Sequence, residues 1–164
     1  VASAAGERQR FAIVAARFNE RITQALVDGA RRAFHVAGVR AEHVELCWVP
    51  GSFELPLAAA ELARSGRYDA IVCIGVVIRG ETPHFEHVAR EAAAGIRQVA
   101  LETGVPATFG VLTTFDEAQA WARAGGASGN RGEEAAEAAI EMAAFMRRRA
   151  RTSRRVARAG KPGR

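Results

Sequence analysis

The sequence predicts a three-layer α/β domain, with a four-stranded parallel sheet and helices on both faces. Three observations predict it. Four short apolar runs, "FAIVAA", "VELCWV", "AIVCIGVVI" and "ATFGVL", have strand length. A segment with helical spacing follows each of them. Glycine, proline or a capping residue punctuates the junctions. Strands that alternate with helices imply parallel pairing through right-handed crossovers, the flavodoxin-like way of building a sheet. The 164 residues, 49% of them hydrophobic, suit one such domain with a real core.

The elements follow in order. "FAIVAA" (11–16) has no polar alternation, as expected of a strand covered on both faces. Asn19 is placed to cap a helix beginning near Glu20, in which Ile22, Leu26, Ala30, Ala33, Phe34 and Ala37 recur at helical spacing until Gly38. "VELCWV" (44–49) is the second strand, closed by Pro50 and Gly51. "FELPLAAAELARSG" is helical, with Pro56 in its first turn, where no backbone donor is required. "AIVCIGVVI" (70–78) is the most apolar strand, and Pro83 opens a long helix over about 84–103 that stops at Gly104. "ATFGVL" (107–112) is the fourth strand, and "FDEAQAWARAGG" a short helix with Asp116 near its start. "GNRGEEAAEAAIEMAAFMRRR" is the last helix, with Glu133 and Glu134 at its positive end and arginines at its negative end.

The net charge of +5 is unevenly placed. Residues 147–164 hold nine of the 23 Lys+Arg and none of the 18 Asp+Glu, which leaves the rest at −4. The expected organisation is a flexible segment at 1–10, one domain at 11–147, and a basic, disordered tail at 148–164. Nucleic acid is expected as a partner only through that tail. "VASAAGERQR" is short and polar and not expected to be a secretory signal. No apolar run reaches membrane-spanning length, so no membrane partner is expected. Cys47 and Cys73 lie far apart within apolar runs and read as buried, reduced thiols of a cytoplasmic protein.

Polar residues gather where the strands end. Arg17, Phe18 and Asn19 follow the first strand, and Pro50, Gly51, Ser52, Phe53 and Glu54 the second. "RGETPH" (79–84) follows the third, and Thr113 and Thr114 the fourth. Open parallel sheets bind ligands at this edge. Any one of these residues could be a plain turn or cap. Together they suit a small polar ring with an anionic appendage. Gly80 lets the backbone approach closely, the N–H groups of Glu81 and Thr82 precede a helix, and Thr82 adds a hydroxyl, so a phosphate fits there. Arg123 could supply a charge-assisted fork. Arg131, in "GNRG", is either a second such charge or part of a cap. His84 lies in the first turn of its helix, and imidazole titrates near neutral pH and can move a proton either way.

Phe18, Phe53 and Phe109 lie near strand ends, where aromatic faces suit a flat heterocycle. Core filling is the simpler account of Phe34, Phe115 and Phe145. Glu81, His84 and His87 match no zinc spacing, so no metal is expected. G-x-S-x-G, Walker A and G-x-G-x-x-G patterns are absent, which takes support from serine hydrolase, P-loop and dinucleotide-binding readings.

The motifs "ARFNERIT", "WVPGSFELP", "GVVIRGETPHFEHV", "FGVLTT" and "RAGG…GNRGEEAA…AIEM" stand in one order over about residues 10–147. In them the chain resembles the lumazine synthase family. The resemblance implies a cofactor-free condensation of two small molecules, 5-amino-6-(D-ribitylamino)uracil and 3,4-dihydroxy-2-butanone 4-phosphate. It implies that Phe18 stacks on the pyrimidine, that Ser52, Phe53 and Glu54 hold the ribityl chain and ring, and that the Val76, Val77 and Ile78 backbone meets the uracil edge. Glu81 and Thr82 would take the phosphate, and His84 would transfer protons. Phe109 and Arg123 would come from a neighbouring subunit of a homo-pentamer or a 60-subunit shell, with riboflavin synthase as a companion. Glu81 stands where many relatives carry a small or neutral residue, and Arg131 where they often carry lysine. The competing readings are an archaeal-type riboflavin synthase and a non-catalytic flavin- or lumazine-binding shell protein.

Overall fold

The structure, a computed structural model, describes residues 9–159. The expected flexible segment at 1–10 therefore falls largely outside the described residues. Gln9 is already buried, and the Arg10 N–H donates to Asp69 Oδ2 at 2.9 Å, so the ordered domain begins before the first strand.

Four strands form one parallel sheet: β1 (Phe11–Ala16), β2 (Val44–Val49), β3 (Ala70–Ile78) and β4 (Ala107–Thr114). Their order is β2-β1-β3-β4. Among the described residues five α-helices accompany them: α1 (Glu20–Val36), α2 (Leu55–Arg64), α3 (His84–Thr103), α4 (Glu117–Ala122) and α5 (Arg131–Ala159). The three-layer, flavodoxin-like α/β architecture is the one the sequence predicts.

Alternation along the two central strands creates two cores. Phe11, Ile13 and Ala15 of β1, with Val72, Ile74 and Val76 of β3, face a cluster that includes Leu26, Ala30 and Phe34 of α1 and Ala136 and Ala139 of α5. The residues between them, Ala12, Val14, Ile71, Cys73 and Val77, face Leu55 and Ala59 of α2 and Ile96 and Val99 of α3. Fully burying side chains such as Ile13, Leu26 or Phe34 stabilises the fold by roughly 1.5–3 kcal/mol each. The α1–α5 crossing is tight: a Cβ on Gly132 would lie 2.0 Å from the Leu26 carbonyl oxygen.

Several expectations are corrected. Asn19 does precede α1, but its side chain makes no cap bond; it adopts φ 59° and turns towards β3. A 3-10 turn (Ser52–Glu54) comes before α2 where continuous helix was expected. A small antiparallel hairpin, β5 (Ala124–Gly126) with β6 (Gly129–Asn130), leads into α5. Such short bridges leave no periodic signal to read. Phe115 and Phe145 are exposed, not core, and Cys47 on edge strand β2 is only half-buried.

The basic tail also differs. α5 stays helical to Ala159, so residues 148–159 are helix where disorder was expected. Arginine and alanine are strong helix formers, and extending an existing helix needs no new nucleus. The remainder of that segment, 160–164, lies outside the described residues.

Candidate active site

β1 and β2 connect on one side of the sheet and β2 crosses to β3 on the other, so the strand order reverses between β1 and β3. Connections diverge at such a point and leave a crevice beyond the carboxyl ends of the strands. A half-open cleft of about 470 Å³ occupies it, a size that suits a small-molecule ligand.

Eight residues singled out from the sequence line this cleft. Phe18 comes from the turn after β1, and Ser52, Phe53 and Glu54 from the 3-10 turn after β2. Val76, Val77 and Ile78 form its floor at the end of β3, and His84 faces it from the first turn of α3. Sequence separations of up to 66 residues are thus closed by sheet pairing.

β3 outruns β1. Pairing between them ends at Ala15–Ile74, whereas β3 remains paired with β4 through Ile78–Thr114. The β1-side edge of the last β3 residues is therefore open. Asn19 Nδ2 donates to the Val76 carbonyl at 3.0 Å, while the Arg79 N–H on the other side donates to Thr114 O at 2.9 Å. Backbone groups alternate sides along a strand, so those of Ile78 point to the open edge with Val76. Asn19 holds the turn after β1 against this edge, and its left-handed backbone is one that asparagine tolerates. The "FNE" motif signalled a cap; only the paired strands reveal the reach to Val76.

Glycine sets one wall. A Cβ on Gly75 would lie 2.3 Å from Ser52 Oγ, so glycine lets the buried Ser52 sit against β3. Phe18 and Phe53 are 74% and 60% exposed, so the fold does not need their ring faces for packing. His84 is exposed as well. Gly51, Phe85, His87 and Val88 also line the cleft. His87 and Val88 follow His84 by three and four positions, and that spacing alone puts them on one face of α3.

The other candidates lie outside this cleft. Glu81 and Thr82 are exposed on the segment that joins β3 to α3; the His84 backbone N–H donates to Thr82 Oγ1 at 3.5 Å. Glu81 is in no ion pair among the described residues. Phe109 is not at a carboxyl end: it pairs with Cys73 in the first half of edge strand β4 and is 47% exposed. Arg123 ends α4, where its Nη1 donates to Gln119 O at 3.1 Å. Arg131 is paired with Glu134 on its own helix. The α5 cap is Asn130, whose Oδ1 accepts from the Gly132 and Glu133 N–H groups at 2.9 and 3.1 Å.

Among the described residues no three His, Cys, Asp or Glu side chains gather as metal ligands, and no helix is long and apolar enough to cross a membrane. Burial pushes the Cys73 thiol up to about 12, and burial and then Glu45 raise that of Cys47. Neither is an activated nucleophile.

Exposed aromatic side chains and an exposed histidine, set around a cleft at the strand switch point of a doubly wound sheet, define an α/β protein of the small-molecule-binding kind. The sequence comparison narrows that class. A family model described as 6,7-dimethyl-8-ribityllumazine synthase matches residues 8–147, and the chain belongs to that family. Membership makes it a transferase of riboflavin biosynthesis.

Proposed function

We propose that the chain condenses 5-amino-6-(D-ribitylamino)uracil with 3,4-dihydroxy-2-butanone 4-phosphate to give 6,7-dimethyl-8-ribityllumazine, the step before the last in riboflavin synthesis. The primary amine attacks the ketone, and water leaves as the imine forms. Inorganic phosphate is then eliminated, and ring closure releases a second water.

The convergence of Phe18, the Ser52–Glu54 turn, the Val76–Ile78 edge and His84 on one cleft carries this reading. Phe18 and Phe53 present faces for the pyrimidine, and the open backbone at Ile78 offers groups to its amide edge. Ser52 and Glu54 hold the ribityl hydroxyls. The phosphate sits at the rim, on the backbone of Glu81 and Thr82 at the start of α3, where the helix dipole favours an anion. The Glu81 side chain turns to solvent, so its charge does not oppose the dianion directly. His84, in reach of both substrates, takes protons from the attacking amine and returns them to departing oxygen. Holding two substrates in one orientation can contribute up to ~7–11 kcal/mol of barrier lowering, more than the acid–base help.

Phe109 and Arg123 complete the cleft of a neighbouring copy in a homo-pentamer or larger shell, and Arg131 is a candidate further charge for the phosphate. Support for this is the exposure of Phe109 on an edge strand, away from its own cleft.

The test is to mix both substrates with the purified chain and follow formation of the fluorescent lumazine and of inorganic phosphate together. Equal yields of the two are expected; ligand binding without product would refute the reading. A mixed assembly of His84→Ala and Arg123→Ala chains should recover part of the activity that each lacks alone, because some interfaces then carry both native residues. No recovery in a verified mixed assembly would refute the shared site.

A further inference from the structure

We propose that the last three turns of α5 form a docking face for double-stranded nucleic acid, gripping its phosphate backbone through a stripe of arginines. This proposal is independent of the cleft.

α5 has two unlike parts. Ala135, Ala136, Ala139 and Ala143 bury one face of the first part against the sheet and α1. Arg147 makes the last anchoring contact, with its Nε and Nη2 each 3.0 Å from Asp69 Oδ1. From Arg148 to Ala157 every residue is exposed, yet the chain remains helical.

At about 100° per residue, Arg148, Arg151, Arg154 and Arg155 fall within an arc of about 120° and span about 10 Å of helix. No Asp or Glu follows Glu141 in the sequence, and none of the four is in an ion pair among the described residues. Arg151 and Arg155 stand four apart, Arg148 and Arg151 three apart, spacings at which like charges oppose the helix. An anionic partner relieves that repulsion.

The kind of anion follows from what the stripe lacks. The opposite side carries Arg149, Thr152, Ser153 and Val156, so there is no apolar face to enter a lipid layer. No aromatic residue follows Phe145, so there is no platform for unstacked bases. What remains is contact with a regular phosphate array. Duplex DNA carries one negative charge per ~1.7 Å of axis, so a row of guanidiniums about 10 Å long faces several phosphates in any register. Residues 1–146 are net −4, so the rest of the chain adds no attraction and contact is confined to the helix.

The experiment measures binding of the full chain to a fluorescent 20-base-pair DNA duplex by anisotropy, between ~50 and ~200 mM salt. Four phosphate contacts predict a slope of log affinity against log salt of about −3.6. The combined Arg148→Gln, Arg151→Gln, Arg154→Gln and Arg155→Gln chain should bind at least about tenfold more weakly at the lowest salt, with a slope shallower by about 0.9 per engaged arginine. Lysine at the same four positions should keep most of the binding. Arg149→Gln, off the stripe, should change it less than any single stripe substitution. Circular dichroism and condensation activity, unchanged in every variant, show that fold and cleft are intact. Undiminished binding by the fourfold glutamine chain would overturn the proposal. So would an Arg149→Gln loss equal to that of a stripe residue, or binding to phosphatidylglycerol vesicles with none to the duplex.

Discussion

The two ends of the sheet carry similar residue types and treat them in opposite ways. At the amino ends of the strands, polar groups satisfy one another. Asp69 accepts from the Arg10 N–H and from Arg147, and Glu45 accepts the Tyr68 hydroxyl and lies 3.9 Å from Arg67. The Arg67 guanidinium lies over the Tyr68 ring, 5.0 Å from its centre. At the carboxyl ends, the side chains of Glu54, His84 and His87 have no hydrogen-bond or ion-pair partner among the described residues, and Phe18 and Phe53 keep bare faces. A pole whose groups are already paired holds the structure together. A pole that leaves them unpaired around a cleft is ready for a ligand.

Substitutions should separate the two poles, and the largest effect should come from the open one. His84→Ala removes the proposed proton carrier and should lower kcat by up to ~10²–10⁴-fold with Tm unchanged. An unaltered rate would remove His84 from the chemistry. At the paired pole, Asp69→Ala leaves the Arg10 N–H without its acceptor and Arg147 without its carboxylate. It should cost about 1–3 kcal/mol of stability, readable in chemical denaturation, with kcat per folded molecule unchanged. Phe18→Ala should raise the KM for the pyrimidine substrate by up to about tenfold, since an aromatic stack is worth ~0.5–1.5 kcal/mol, and leave Tm alone. A fall in Tm would assign that ring to packing.

The smallest effect is a pH dependence. Burial first, and the hydrogen bond to Glu45 next, push the Tyr68 hydroxyl from 10 up to about 12. The fold favours the neutral phenol, so this contribution is complete below about pH 10 and is lost as pH rises towards 12. Tm should fall over that window, and Tyr68→Phe should make the fall shallower. It should not abolish it, because the buried Cys73 thiol, also raised to about 12, loses its contribution over the same alkaline range.

Much of the cleft was legible because each contributor sits at a strand end, which local pattern marks well. "GSFE", "VVI" and "PH" are short segments whose places on strand, turn and helix start follow from apolar runs and punctuation. Phe109 shows the limit. Its apolar run reads as ending at Leu112, which puts Phe109 near a strand end, whereas β4 runs to Thr114 and Phe109 lies in its first half. Arg123 and Arg131 carry the right charge for a phosphate but lie outside their own cleft, where Arg123 donates to Gln119 O and Arg131 pairs with Glu134; which copy's cleft a side chain serves is not a property of local sequence. Phe115 and Phe145 read as core from their aromatic character alone, but both are exposed, because burial depends on which turns and helix faces find a partner.

By itself the sequence determined the elements, their alternation and the chemical types gathered at one edge, because period and punctuation are properties of neighbouring residues. Only the tertiary structure decided that β3 outruns β1, that Asn19 reaches Val76 instead of capping α1, and that α5 leaves its core and continues as a bare arginine helix. Those outcomes depend on pairing between residues far apart in the chain, and no local pattern encodes where two distant segments stop touching.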